Sequence, residues 1–254
     1  MTTIGIIPAR YASTRFPGKP LAKIGEKTMI QRTLEQVAKA QSLDSFIVAT
    51  DDTRIAAHVE ELGYQVVMTS ESCLNGTERC AEAVEILKKK GQKIDIVINI
   101  QGDEPFIRPE QIDAVGAVLR ENADFDIATL LKKIEHEADL FNPTIVKAVT
   151  ASNGRALYFS RQAIPHIRGK AYADWLANHA FYQHIGLYAY RAADLPLLAS
   201  LAATPLENAE SLEQLRWLEQ GFLIGTAQTV FQTIGIDTPE DLERVLAILP
   251  ILEQ

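Results

Sequence analysis

Through the first half of the chain short β-branched runs alternate with amphipathic stretches, a rhythm that a parallel sheet covered by helices satisfies and few other folds do. The runs at 3–9, 46–50 and 65–69 predict strands, and the stretches at 29–40 and 53–62 predict the helices between them. The pattern continues with a helix at 77–89, a fully buried strand at 94–100, and a helix at 109–121 opened by Pro109 at its first turn. From Asp126 the rhythm changes. Strand-like runs at 145–150 and 156–160 flank Ser152-Asn153-Gly154, and Asn-Gly in that setting signals a hairpin. Residues 163–175 have no clean period and read as a loop suited to a lid or an interface arm. A strand at 181–190, a helix at 211–220, a strand at 222–229 and an acidic, capped helix at 238–249 complete the chain. The expectation is a single α/β domain: a mostly parallel twisted sheet with helices on both faces and an antiparallel excursion in the second half.

Charge and cysteine content narrow the function classes. With 33 acidic and 25 basic side chains in 254 residues the net charge is −8, which argues against general nucleic-acid binding because that needs a basic face to displace counterions. Any anionic ligand must therefore be drawn by a local cluster. Cys73 and Cys80 are the only cysteines, too few for a disulfide scaffold or a cysteine-based zinc site, and they read as reduced thiols. No apolar run approaches the ~18 residues of a membrane helix; the best, 195–206, is broken by Pro196 and Pro205. Pro8 and Arg10 interrupt the opening segment, so it does not read as a secretion signal, and the expected location is cytoplasmic.

In open α/β sheets ligands lie beyond the carboxyl ends of the strands, so the loop after the first strand is the first place to look. Residues 1–25 hold Arg10, Arg15, Lys19 and Lys23 and no carboxylate. Guanidinium forks and a lysine charge beside the hydroxyls of Ser13 and Thr14 suit a polyphosphate that must be held while its leaving group is neutralised. The alternative is an ordinary solvated basic loop. Neither G-x-x-x-x-G-K-[ST] nor G-x-G-x-x-G is present, which disfavours a P-loop ATPase and a dinucleotide-dependent dehydrogenase.

Three further segments bear chemistry. The predicted strand at 94–100 runs into Gln101-Gly102-Asp103-Glu104-Pro105, placing Asp103 at a strand end where one carboxylate plus phosphate oxygens would suit Mg²⁺, with Gly102 permitting close backbone approach. The same residues would also serve as a capped turn. A second carboxylate is needed, and Asp237 is the candidate, although Asp before Thr-Pro-Glu is also an ordinary helix N-cap. Asn75-Gly76-Thr77-Glu78-Arg79 opens a helix with a hydroxyl and free backbone donors, fit for a nucleobase or an anion, or simply for capping. In the second half, His184, Gly186, Tyr188 and Tyr190 share one face of a strand. They either converge on a polyhydroxylated acid or satisfy their polar tips locally.

The segment Ala-Arg-Tyr-Ala-Ser-Thr-Arg-Phe-Pro-Gly-Lys-Pro-Leu resembles the amino-terminal signature of the 3-deoxy-manno-octulosonate (Kdo) cytidylyltransferase family, and CMP-sialate synthetases share a looser version. Asn75 to Arg79 is similar to the family's Ser-Gly-Thr-Glu-Arg, departing at Asn75, and Gly-Ile-Asp-Thr-Pro-Glu-Asp resembles the family segment with the second magnesium aspartate. The segments Tyr158 to Arg161, His184 to Arg191 and Glu213 to Arg216 look like the family's sugar-binding parts, so the resemblance runs in register along nearly the whole chain; only 162–180 matches no motif.

The resemblance implies a nucleotide-diphospho-sugar transferase-like fold with a nucleotide-binding half at about 1–125 and a sugar-binding and dimerisation half at about 126–254. It implies transfer of CMP from CTP to Kdo with release of pyrophosphate, by a cytoplasmic homodimer that serves lipopolysaccharide synthesis. Arg10, Arg15 and Lys19 would carry catalysis; Ala9, Arg10, Ser13, Gly76, Thr77, Arg79, Gln101 and Asp103 would bind the nucleotide. Arg161, His184, Tyr188, Glu213 and Gln214 would bind the sugar acid, and Asp103 and Asp237 would hold Mg²⁺. No nucleophile or general base is assigned, and His58, His136, His166 and His179 fit no motif. The rival readings are a cytidylyltransferase for sialate or an amino-substituted Kdo, in which only the sugar pocket would differ, and a non-catalytic nucleotide sensor, which would not need both aspartates.

Overall fold

The computed structural model describes residues 1–252. The chain opens with strand β1 (Thr3–Ala9), whose following loop leads through a small hairpin, β2 (Lys23–Ile24) and β3 (Lys27–Thr28), into helix α1 (Met29–Val37). Then come β4 (Ser45–Thr50), α2 (Thr53–Glu61), β5 (Val66–Met68), α3 (Gly76–Lys89), β6 (Ile96–Asn99) and α4 (Pro109–Glu121). The second half runs β7 (Ile127–Lys133), α5 (Glu137–Phe141), β8 (Lys147–Thr150), β9 (Ala156–Ser160), α6 (Trp175–Asn178) and β10 (Tyr182–Arg191). It ends with α7 (Leu195–Ser200), α8 (Pro205–Glu210), α9 (Gln214–Glu219), β11 (Ile224–Thr229) and α10 (Pro239–Leu252).

The main sheet has the order β11-β7-β10-β6-β1-β4-β5, with the β8–β9 hairpin attached to the start of β10. The β1, β4, β5 and β6 pairings are parallel, as is β7 with β11, while β10 is antiparallel to both β6 and β7. One strand of the seven is thus reversed. Side chains alternate between two cores as the pleat requires: Ile4 and Ile6 of β1 pack under α3, α7 and α9, whereas Ile7 and Ala9 pack under α1, α2 and α4. Helices therefore cover both faces.

Local chemistry starts the helices where the periodicity places them. Thr28 accepts from the Gln31 amide (3.3 Å), Asp52 from Arg54 (2.9 Å) and Asn75 from Glu78 (2.8 Å), while the Glu78 carboxylate reaches back to the Leu74 amide (2.8 Å). These side chains satisfy amides that have no partner within their helix. The hairpin at 152–154 forms as expected, with Gly154 at φ 80°.

Three expectations change. The strand β7 at Ile127–Lys133 had no counterpart in the sequence reading, because five consecutive buried residues carry no period that separates strand from helix. The helix expected at 211–220 starts only at Gln214, since Ser211 adopts φ 53° and a separate helix, α8, precedes it. Within the 163–175 loop, Tyr172–Asp174 forms a short 3₁₀ turn leading into α6. No helix among the described residues is long and apolar enough to cross a membrane.

Gly225 in β11 lies against α4 so closely that a Cβ there would meet the Phe125 ring and come within 2.7 Å of Val118 Cγ1. Gly225→Ala is therefore expected to lower stability by about 1–3 kcal/mol in urea unfolding, the scale of an overpacked core. An unchanged midpoint would mean that α4 yields to the extra methyl.

Candidate active site

The loops after β1 and β6 and the segment before α10 enclose a cavity of about 400 Å³ at the carboxyl edge of the sheet. Its wall includes Ala9, Arg10, Ser13, Arg15 and Lys19 from the first loop, Gly76 and Arg79 from α3, Gln101 and Asp103 after β6, and Asp237. Of the residues expected to bind the nucleotide, only Thr77 is absent from this wall.

The centre of the site is Lys19, whose Nζ donates to Asp103 Oδ2 at 2.6 Å and to Asp237 Oδ1 at 3.0 Å. Its side chain is 12% exposed, so the charge works in a partly desolvated setting. Arg15 meets the other oxygen of Asp237 at 3.1 Å from a far more open position. Gly102 makes the approach of Asp103 possible: a Cβ there would lie 2.9 Å from the Pro8 carbonyl oxygen. The backbone amide of Ile236 donates to the Asp103 carbonyl at 3.0 Å and ties the second carboxylate segment to the first.

Two readings were open for Asp237, and the hydrogen bonds separate them. Thr238 Oγ1 accepts from the Asp241 amide (3.2 Å), and the Asp241 carboxylate takes the amides of Asp237 (3.0 Å) and Thr238 (2.9 Å). The cap of α10 is thus a Thr238–Asp241 box, and the Asp237 carboxylate is released to the cavity. Asp103 and Asp237 present two hard oxygen donors to a single point now taken by an ammonium. That donor set fits Mg²⁺ when substrate phosphates and water complete the shell. Among the described residues no group of three or more His, Cys, Asp or Glu side chains is arranged as a metal cage.

Arg79 also lines the cavity, but it is buried and doubly held, by Thr69 Oγ1 at 2.6 Å and Asp51 Oδ2 at 2.7 Å. It braces the wall more than it offers free charge. Arg10, by contrast, is exposed and reaches the Leu74 carbonyl at 3.4 Å. Asn75 and Cys73 line the cavity as well. The place of Cys73 there was not read from the sequence, whereas Asn75 belongs to the helix-opening segment that was. Cys73 donates to Glu82 at 3.0 Å, and burial together with that carboxylate pushes its thiol up to about 12, so it is no nucleophile. Both cysteines are free and buried. Glu104, next to Asp103, is desolvated enough that its carboxyl is pushed up to about 8.

A second group of expected residues lies on β10 and at the ends of β9 and α9. On β10 the rings of His184, Tyr188 and Tyr190 form a continuous row, with centroids 5.4 Å and 6.0 Å apart, and Trp217 of α9 stands edge-on to Tyr188 at 5.4 Å. Gly186 leaves open space between His184 and Tyr188. His184 Nε2 lies 2.9 Å from Thr129 Oγ1, which is itself within 3.1 Å of the Ile185 and Leu187 carbonyls. The single hydroxyl proton goes to a carbonyl, so the imidazole donates through Nε2 and keeps Nδ1 as an acceptor. Burial pushes the imidazole down to about 3, holding it neutral.

The Arg161 guanidinium donates to the carbonyls of Glu210 (2.6 Å), Pro143 (3.2 Å) and Ser211 (3.3 Å), its backbone amide donates to Glu210 Oε2 (2.9 Å), and among the described residues no carboxylate is hydrogen-bonded to the guanidinium itself. Beneath it the fully buried Lys147 is caged by the carbonyls of Asn142 (2.9 Å), Ile145 (2.6 Å) and Arg161 itself (2.5 Å). Glu213 accepts from Thr77 Oγ1 at 3.0 Å, and Gln214 is buried at the start of α9. Neutral acceptors, aromatic walls and an unneutralised guanidinium are what a polyhydroxylated carboxylic acid requires.

The chain is similar to known proteins along nearly its whole length. Residues 4–230 match a family model described as cytidylyltransferase. A 3-deoxy-manno-octulosonate cytidylyltransferase of Parabacteroides distasonis is 55% identical over 253 residues, 98% of each chain, and one of Cytophaga hutchinsonii is 53% identical over 96% of each. The solved structure of a CMP:2-keto-3-deoxy-manno-octonic acid synthetase complexed with CTP superposes with a TM-score of 0.88 at 37% identity, covering 99% of both chains. A cytidylyltransferase from Leptospira borgpetersenii, 18% identical with a TM-score of 0.61, covers 99% of this chain and 87% of its own and shares the fold.

Because desolvation disfavours imidazolium, His184 is expected to stay neutral from pH 5 to 8 in a ¹⁵N NMR titration. The same shift makes the protonated form costlier folded than unfolded, so stability falls as pH drops from the ordinary histidine range toward 3. A His184 midpoint above pH 6 would show the pocket to be solvated.

Proposed function

This chain belongs to the 3-deoxy-manno-octulosonate cytidylyltransferase family, and from that premise we infer that it couples CTP to Kdo, yielding CMP-Kdo and pyrophosphate. The observation that carries the reading is the convergence of Lys19, Asp103 and Asp237 in a cavity opening at the carboxyl edge of the sheet.

Chemically, the anomeric 2-hydroxyl of Kdo attacks the α-phosphorus of CTP in line, and the bond from that phosphorus to the β-phosphate bridging oxygen breaks. Negative charge accumulates on the departing pyrophosphate. Arg10, Arg15 and Lys19 supply the positive charge against which it accumulates, and Lys19 does so from the most desolvated position, where a fixed charge is worth most. We assign Asp103 and Asp237 as the ligands of Mg²⁺, which when bound polarises the phosphate and lowers the pKa of the attacking hydroxyl. Ala9, Ser13, Gly76 and Gln101 shape the wall of the nucleotide cavity. Arg161 faces the sugar carboxylate; His184 Nδ1, Tyr188, Glu213 and Gln214 surround the hydroxyls. With both substrates fixed, little remains for covalent or acid–base catalysis, and positioning carries the rate. Family membership further supports our reading of the protein as a cytoplasmic homodimer that activates Kdo for lipopolysaccharide assembly.

The direct test is pyrophosphate release from purified protein with CTP and Mg²⁺, with Kdo, amino-substituted Kdo and sialate supplied separately and EDTA as control. Release with Kdo and its loss in EDTA are expected. Release only with another sugar acid would overturn the pocket assignment, and CTP binding without release would leave a sensor. Lys19→Ala is expected to lower kcat by ~100-fold or more, the scale for losing one preorganised charge at a reacting phosphate. A kcat close to the parent value would remove Lys19 from the machinery.

A further inference from the structure

Thr77 stands two residues into a helix start, where a threonine ordinarily caps or meets a ligand. Here neither role is open to its hydroxyl. Asn75 already caps α3 through the Glu78 amide at 2.8 Å, and Thr77 is buried and absent from the wall of the nucleotide cavity that its neighbour Gly76 lines. Its Oγ1 instead donates across the fold to Glu213 Oε2 at 3.0 Å, a contact between residues 136 positions apart.

The Glu213 carboxylate is left in an unusual state by that bond. One oxygen is held by Thr77, and the other, Oε1, is buried with no hydrogen-bond partner. Leaving a buried acceptor empty is costly, so such an atom marks either a strained site or one awaiting a donor. Arg216 is the nearest cation in sequence, yet its guanidinium is committed to Glu207, with Nε 2.6 Å from Oε2 and a second short contact. Burial pushes the Glu213 carboxyl up, and the Thr77 hydrogen bond is the largest influence opposing it. Thr77 therefore fixes one oxygen of this side chain and opposes the effect of burial on its charge.

We propose that Thr77 is a positioning residue for the sugar acid and not a nucleotide contact: its hydroxyl clamps one oxygen of Glu213 so that the free oxygen is aimed at a hydroxyl of Kdo. This rests on the reading of Glu213 as a sugar-binding residue given above. It reassigns a residue of the Gly-Thr-Glu-Arg segment from one substrate to the other. It also makes the first turn of α3 common ground between the two pockets, with the Gly76 backbone on the CTP side and the Thr77 hydroxyl on the Kdo side.

Steady-state kinetics on the full chain test it, varying each substrate with the other saturating, for Thr77→Val, Thr77→Ser, Glu213→Ala and the Thr77→Val/Glu213→Ala pair. Thr77→Val is expected to raise KM for Kdo about tenfold, the scale of one lost hydrogen bond to a charged group, while KM for CTP stays within about twofold. Thr77→Ser should restore most of the loss, and Thr77→Val should add nothing further once Glu213 is alanine. A rise in KM for CTP with Kdo unaffected would overturn the proposal, as would a serine variant as impaired as valine, since that would show a packing role. If Glu213→Ala leaves KM for Kdo unchanged, the assignment of Glu213 fails and the proposal falls with it. If Glu213→Ala raises that KM and Thr77→Val does not, the proposal alone fails. Circular dichroism of each variant checks folding, and Thr77→Ala takes the place of valine where valine does not fold.

Discussion

A single ammonium group joins three parts of this chain that the sequence keeps far apart. Lys19 meets carboxylates 84 and 218 positions away, and without a cation between them Asp103 and Asp237 would face each other as like charges in a partly desolvated cleft. Much of the nearby architecture follows from that constraint. Gly102 must lack a side chain so that Asp103 can come up against the end of β1, Ile236 must donate to the Asp103 carbonyl, and α10 must be capped by Thr238 and Asp241 so that Asp237 is free. The lysine holds the two carboxylates close together, so the cost of bringing them into one place is met in the fold itself.

The residues proposed for the sugar acid meet a different problem. A sugar acid offers many hydroxyls and one negative charge, and these residues answer with a neutral imidazole and a guanidinium that no described carboxylate hydrogen-bonds. The neutral His184 and the carbonyl-held Arg161 are two halves of that answer. Lys147, buried beneath, adds a cation whose hydrogens are all directed to backbone oxygens, which stiffens the turn that carries Arg161.

The parallel half of the fold was legible because its helices are capped where their periodicity starts and its strands alternate with them; Thr28, Asp52, Asn75 and Pro109 mark boundaries that the structure keeps. The strand β7 was not, since an unbroken apolar run carries no period, nor was the break at Ser211, where a left-handed residue separates two short helices. In the site, local signals pointed to the basic loop and Asp103, which the structure brings to one cavity. They left Asp237 undecided between cap and ligand because both roles call for the same residue type, and the hydrogen bonds of Asp241 give the cap to Thr238. Thr77 was assigned to the nucleotide because a helix-start hydroxyl looks alike whether it faces solvent, a ligand or a glutamate from the far end of the chain.

The reversed strand β10 has a consequence for how the molecule comes into being. It lies between β6 and β7, which are successive strands of the main path along the chain yet never pair with each other. On a ribosome, the nucleotide half can close its own parallel sheet early, but β6 then shows a bare row of amides and carbonyls until Arg191 has been synthesised. An uncovered edge of that kind invites pairing with other chains. The strand that carries His184 and Tyr188 is thus also the one that seals the sheet, and the newly made chain leaves its most association-prone interval only as that strand is added.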